Sequence, residues 1–182
     1  AFCGYHGWHD WYLASNLESP NNLNSHLLKN IPTRGVIRSL KNSIFGFNYN
    51  DIEKLKQLIK NKKIGIVIME VVRNINPKNN FLKKVRSLTK KNNIKLIFDE
   101  CTTGFRHDFG GIHKSYKIEP DLAMFGKSLG NGYAITACIG KKEIMKYAND
   151  SFISSTFWTE RIGYVAALKT LEVMQKKKSW KL

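Results

Sequence analysis

The sequence predicts an α/β protein with a mostly parallel sheet and helices on both faces. Three observations carry that expectation. Short continuous apolar runs alternate with longer stretches of helical periodicity. Each run is bounded by polar residues, as strands buried on both faces are. No internal repeat, linker or composition shift divides the chain. Taken in order, residues 35–40 predict a first strand. Asn50-Asp51 supplies an N-cap for a helix from Ile52 to about Lys62, in which Ile52, Leu55, Leu58 and Ile59 form one apolar stripe. Residues 64–70 form a buried strand, and Pro77 ends the loop after it. Residues 81–91, with Leu82, Val85 and Leu88 apolar, predict a second helix, and residues 94–99 a second buried strand. Residues 103–111 are a Gly-rich connection too irregular for a simple crossover helix. Residues 121–125 and 133–139 predict short buried strands around a Gly-rich loop, and helices follow at residues 142–147 and about 160–177. The run Lys176-Lys177-Lys178 suits the negative end of the last helix dipole.

At 182 residues the chain is long enough for one domain with a real core, or for part of a larger one. With 42% hydrophobic and 24% charged residues, it falls outside the disordered, collagen-like and coiled-coil classes. No apolar run approaches the ~18 residues that span a bilayer, and the opening Ala1-Phe2-Cys3-Gly4-Tyr5-His6 has no leader pattern, so no membrane partner is expected. Cys3, Cys101 and Cys138 form neither a CxxC pair nor an even set, which fits a reducing cytoplasm. The net charge of +16 raises nucleic acid as a partner. However, 24 of the 30 basic residues are Lys and only 6 are Arg, whereas base readout favours Arg. Lys54, Lys56, Lys60, Lys62 and Lys63 read as a solvated helix face, and no nucleic-acid partner is expected. The 17 Asn, with the Lys and Ile, read as the drift of an AT-rich genome.

Ligands of open α/β sheets bind outside the carboxyl ends of the strands, which singles out Glu70, Asp99 with Glu100, and the loop holding Lys127. Asp99 closes an apolar strand, where a carboxylate meets a cation, a donor or a metal, or else caps a turn or helix; from this residue both readings stand. Strand alternation puts Asp99 and Cys101 on one face and Glu100 on the other, so that a ring beneath that face meets both. Lys127 lies in a Gly-flanked loop directly after an apolar run. There a partly desolvated lysine becomes nucleophilic enough to form a Schiff base, with an ordinary exposed lysine as the competing reading. A phosphate-binding P-loop fails on spacing, since GxxxxGKS needs glycine where Asp121 stands. Tyr5-His6-Gly7-Trp8-His9-Asp10 concentrates rings that either stack on a planar cofactor or pack in a core. His6 and His9 lack a third ligand at familiar spacing, so no metal is expected. Cys3 and Cys138 have apolar neighbours and read as packing residues.

Together these positions resemble the class III pyridoxal-phosphate aminotransferases, in their glutamate-1-semialdehyde aminomutase-like branch. The resemblance runs along essentially the whole chain. Its most specific stretch is Ile97-Phe98-Asp99-Glu100-Cys101-Thr102-Thr103-Gly104-Phe105-Arg106, followed by Pro120-Asp121 and Phe125-Gly126-Lys127-Ser128-Leu129-Gly130-Asn131-Gly132. Tyr5-His6-Gly7 is similar to the family's aromatic stacking motif, and Ile153-Ser154-Ser155-Thr156-Phe157-Trp158 stands in place of its phosphate-contacting threonine segment.

The resemblance implies the large domain of a fold type I enzyme using pyridoxal 5'-phosphate (PLP), with a small-molecule amino donor and acceptor. By it, Lys127 forms the Schiff base, Asp99 pairs with the pyridine nitrogen, Tyr5 stacks on the ring with His6 beside it, and Cys101 lies on the opposite ring face. Thr156 would reach the phosphate of the neighbouring subunit in a homodimer. The family's upstream phosphate-binding loop, N-terminal segment and C-terminal small domain have no counterpart in residues 1–182, which correspond to the central part of the large domain. Glu70-Val71 stands where the family has Glu-Pro, and residues 154–161 differ from the Gly-Thr-Leu-Ser-Gly-Asn-Pro-like run of true aminomutases. These departures favour transamination of an amino-acid or amino-sugar-related substrate. Intramolecular amino transfer, or an inactive fragment of the fold, is the alternative.

Overall fold

A computed structural model describes residues 1–26 and 29–181. Five strands form one sheet in the order β1-β2-β3-β4-β5. The chain divides into two compact units, the first comprising residues 1–70 with 74–96 and the second residues 71–73 with 97–182.

In the first unit, β1 (Phe2–Cys3) pairs in parallel with β2 (Ile66–Glu70), Phe2 opposite Ile68 and Cys3 opposite Met69. Phe2 is fixed on its other side by Phe45 and Phe47, through Phe2 N–H to the Phe45 carbonyl (2.9 Å) and Phe47 N–H to the Phe2 carbonyl (3.1 Å). A two-residue strand lies below any window of alternation, so periodicity carries no sign of β1. The short helix α1 (Asp10–Leu13) places Tyr12 and Leu13 against Phe2, Leu23 and Val36 in a buried cluster. Helix α2 (Ile52–Asn61) starts where expected, with the Asp51 carboxylate accepting from Lys54 N–H at 2.9 Å. Leu55 and Leu58 are buried on its inner stripe, while Lys54, Lys56 and Lys60 are exposed. Helix α3 (Phe81–Lys91) buries Phe81, Leu82 and Val85.

The strand expected at residues 35–40 is absent. Gly35 sits in a turn at φ +83°, Val36 N–H closes back on the Thr33 carbonyl, and Arg38–Leu40 is a 3-10 turn. Val36 turns into the cluster with Tyr12 and Leu23 while Ile37 is exposed, and the two turns leave no extended run to join the sheet.

The second unit contains the carboxyl end of β3 (Lys95–Asp99), parallel to β4 (Leu122–Phe125), which pairs antiparallel with β5 (Ala137–Gly140). The strand expected at residues 133–139 therefore begins four residues late. Its Cys138 and Ile139 are exposed rather than buried, because a short antiparallel strand can face water. Cys138 is thus not a packing residue, whereas Cys3 is. After the single turn α4 (Lys142–Met145), the chain reaches α5 (Ile162–Lys177). The Glu160 carboxylate caps the start of α5, accepting from Ile162 N–H at 2.9 Å and Gly163 N–H at 3.4 Å. Gly163 lets the helix approach the preceding loop, since a Cβ there would lie 2.5 Å from the Ala134 carbonyl oxygen. Ala167 of α5 joins Ala123, Phe125 and Leu129 in the unit's core. Among the described residues no helix is long and apolar enough to cross a membrane.

Candidate active site

In the second unit the carboxyl ends of the parallel strands β3 and β4 bring three expected residues close in the fold. Asp99 ends β3 opposite Met124, and Lys127 follows β4 by one glycine. The Asp99 carboxylate accepts from Cys101 N–H at 3.0 Å, which turns the chain sharply out of the strand. Asp99 and Cys101 are half-buried and Glu100 is fully buried, but Glu100 and Cys101 lie past the end of β3, so the strand alternation expected over residues 99–101 does not extend to them. Cys101 lies beside the lysine loop: a Cβ on Gly126 would stand 3.4 Å from Cys101 Sγ. Lys127 Nζ donates to the Thr102 hydroxyl at 3.1 Å, tying the lysine to the turn that Asp99 begins.

The backbone at Lys127 has φ +42°, the left-handed region that a long L side chain occupies at a cost of roughly 1–2 kcal/mol. Gly130 keeps the loop closed behind it, because any Cβ there would collide with the Tyr133 carbonyl. Lys127 also lines a cavity of about 550 Å³, with Tyr133, Thr136, Ser155, Trp158 and Tyr164 around it. A lysine lining such a cavity, in the turn after a strand whose neighbour ends in a carboxylate, has an amine that can condense with a ligand carbonyl.

Glu100 holds the Gly-rich connection in place. Its carboxylate accepts from Thr103 Oγ1 (2.6 Å), Ile112 N–H (3.0 Å), His113 N–H (2.9 Å) and His113 Nδ1 (2.7 Å). Burial pushes its pKa up, but the hydrogen bonds from the His113 ring, the Thr103 hydroxyl and the two main-chain donors outweigh that and hold it below the usual carboxylate value. The sequence marked Glu100 as a strand end but gave no hint of its partners, which lie up to 13 residues away across an irregular loop. Thr102 was missed as well; the Asp-x-x-Thr spacing of a turn with a second hydroxyl is the signal that was there to find.

Tyr5 and His6 belong to the first unit, just past β1. Tyr5 N–H donates to Glu70 Oε2 at 3.0 Å, and Glu70 itself is buried at the end of β2. Gly4 is required here. It has φ +108°, and a Cβ would lie 2.5 Å from that carboxylate oxygen. Gly4 N–H donates to His26 Nδ1 at 3.2 Å, and Tyr12 Oη donates to the Gly4 carbonyl at 3.1 Å. Burial first, and the neighbouring His6 second, push His26 from 6.5 down to about 4, so it accepts as a neutral ring. Burial and then the Glu70 charge push the Cys3 thiol up to about 12, leaving it inert. His6 is buried, with Nε2 on the Cys3 carbonyl at 3.1 Å and its ring stacked on Trp11. Tyr5 is half-buried, with its ring edge-on to Tyr12. The motif thus packs His6 inward and leaves Tyr5 at the margin.

Thr156 lies in the exposed stretch between α4 and α5, among Phe152, Ile153, Phe157 and Trp158, all exposed.

The family model described as Aminotransferase class-III matches residues 4–181. The chain is 37% identical over 182 residues to 3-aminobutyryl-CoA aminotransferase of Cloacimonas acidaminovorans, covering 95% of this chain and 40% of the relative. It is 37% identical over 183 residues to glutamate-1-semialdehyde 2,1-aminomutase of Nitrosopumilus maritimus, covering 96% of this chain and 42% of the relative. Among solved structures, the FumI protein of Sphingopyxis sp. MTA144 in its PLP internal aldimine form superposes with a TM-score of 0.78 at 24% identity, covering 96% of this chain and 41% of the other. An omega-transaminase from Sphaerobacter thermophilus gives 0.77 at 24% identity, over 95% of this chain and 43% of the other. The two structures agree in fold. The chain spans about 40% of the length of the curated relatives it matches.

Proposed function

Because the chain belongs to the class III aminotransferase family, we propose that it is the central part of the large domain of an enzyme that uses PLP to move an amino group between small molecules. One observation carries this reading: a lysine in strained backbone, facing a cavity, next to a strand that ends in a carboxylate. The residues suit the cofactor. Lys127 offers an amine for its carbonyl, Asp99 a carboxylate for its ring nitrogen, and Cys101 a small side chain beside both. When bound, PLP supplies an electron sink for charge developing on the substrate carbon. With it bound, Asp99 would hold a proton at the ring nitrogen, and the Lys127 amine would take and return the substrate proton. Within the first unit, His6 fixes the segment that carries Tyr5, through Nε2 on the Cys3 carbonyl.

We assign Thr156 to the phosphate of a partner subunit in a homodimer. The exposed Phe152, Ile153, Phe157 and Trp158 beside it in the chain support this, since apolar surface in such concentration marks an association face. The three free cysteines suit a reducing cytoplasm. Intramolecular amino transfer is the second reading, favoured by the 37% identity to an aminomutase. The sequence at residues 154–161 favours transfer between two molecules.

The test is borohydride reduction of the PLP-treated complete protein, followed by peptide mapping. The pyridoxyl group should be found on Lys127. A label on another lysine would overturn the assignment, and a protein that neither turns yellow nor retains label would be an inactive fragment of the fold.

A further inference from the structure

Resting on the assignment of Lys127 above, we infer that Thr102 is a positioning residue whose hydroxyl holds the Lys127 amine in place to meet an incoming carbonyl. Lysine side chains have several rotatable bonds, and an exposed one spreads over many rotamers. Lys127 is exposed, yet its Nζ donates to Thr102 Oγ1 at 3.1 Å. Thr102 is itself held from two sides. Before it, Cys101 N–H closes on the Asp99 carboxylate; after it, Thr103 donates to the buried Glu100 at 2.6 Å. The hydroxyl is therefore part of a rigid turn, and the amine is the mobile partner.

The main chain does the rest of the aiming. With φ +42° at Lys127, and a collision with Tyr133 forbidding any side chain at Gly130, the loop directs the side chain back over the end of β3. Thr102 has one further property suited to the role. A hydroxyl accepts one N–H of the amine without neutralising it or competing with it as a nucleophile, so the contact can persist while the nitrogen lone pair meets the carbonyl. A carboxylate at that position would pair with the lysine and hold it protonated.

The experiment follows the time course of covalent capture. The cofactor-free complete protein is mixed with PLP, quenched with borohydride at intervals, digested and analysed by mass spectrometry. Each lysine then reports its own rate, and the other lysines serve as internal controls. Thr102→Val keeps the shape and removes the acceptor; Thr102→Ser keeps the acceptor and removes the methyl. Capture at Lys127 should slow by about five-fold in Thr102→Val, the factor equivalent to a net hydrogen bond of about 1 kcal/mol, and stay within about two-fold of wild type in Thr102→Ser. Rates at the other lysines should not move. Wild-type capture in Thr102→Val, or equal slowing in both variants, overturns the role of the hydroxyl. If Thr102→Val does not fold, Thr102→Ala is read against Thr102→Ser in the same way. A label found on a lysine other than 127 in the wild type overturns the assignment of Lys127 and this role with it, and is distinguishable because it appears before any variant is compared.

Discussion

Replacing Glu100 with Gln keeps the shape of a fully buried side chain and removes its charge. In the native protein its two oxygens take four donors: Thr103 Oγ1, Ile112 N–H, His113 N–H and His113 Nδ1. The Gln oxygen can keep about two of them, while its amide nitrogen, itself a donor, faces the rest. Two buried donors without partners cost about 1–3 kcal/mol each, and partial rearrangement of the loop recovers some of that. The expected loss is about 3 kcal/mol. With a urea slope of about 2 kcal/mol/M, the unfolding midpoint falls by about 1.5 M.

The pH dependence gives a second signature. Glu100 has a folded pKa below its unfolded value, so its stabilising contribution is complete above the ordinary value of 4.5 and is lost as pH falls through the folded value. Wild type should therefore lose stability on acidification below about pH 4.5 more steeply than Glu100→Gln. Equal acid limbs, or a urea shift corresponding to less than about 1 kcal/mol at unchanged slope, would refute the claim that this carboxylate holds the loop.

Asp99→Asn keeps the turn to Cys101 N–H through its amide oxygen but removes the charge proposed to pair with the ring nitrogen. Absorbance should show PLP retained, while single-turnover transfer from an amino donor slows by about 10² or more; near wild-type turnover would remove Asp99 from the chemistry. His26→Asn keeps an acceptor for Gly4 N–H. Because the folded pKa of His26 is lowered from 6.5 to about 4, the unfolded chain binds the proton first and wild-type stability declines as pH falls across that window, by up to about 3 kcal/mol. Urea titrations between these limits should show a flatter decline in His26→Asn, and parallel curves would mean that His26 titrates normally.

The parts of the fold set by periodicity were readable in the sequence. The Asp51 cap, the Leu55 and Leu58 stripe and the apolar runs that became β2, β3 and β4 depend on neighbours close in the chain. What escaped depends on tertiary pairing. Phe2–Cys3 is a strand only because residues 45–47 and β2 flank it, and residues 35–40 fail to be one because nothing pairs with them. Asparagine has a structural use here that composition alone does not reveal. Asn30, Asn42, Asn50, Asn79, Asn80, Asn93 and Asn131 all adopt positive φ, which Asn tolerates better than other non-glycine residues. In this chain asparagine does at turns much of what glycine does elsewhere. At the site, the positions of Asp99 and Lys127 followed from where the apolar runs end. The Thr102 contact and the Glu100 hub did not, because both are made across loops with no period.

The acids at the strand ends divide by burial into scaffold and chemistry. Glu70 and Glu100 are each buried at the end of a strand, and each accepts main-chain N–H groups from a loop that carries a candidate site residue or adjoins one. A buried carboxylate is stable only when such donors repay its desolvation, so its loop and its charge are mutually dependent. Asp99 is half-buried and one methylene shorter in reach, and one of its oxygens accepts from its own turn. That turn keeps the Asp99 carboxylate fixed at the strand end. Glu70 thus fixes the segment with Tyr5, and Glu100 the connection that follows Asp99 and Thr102. Substitution of either glutamate should act on stability first and on chemistry only through lost position, whereas Asp99 and Lys127 should tolerate substitution structurally and lose chemistry.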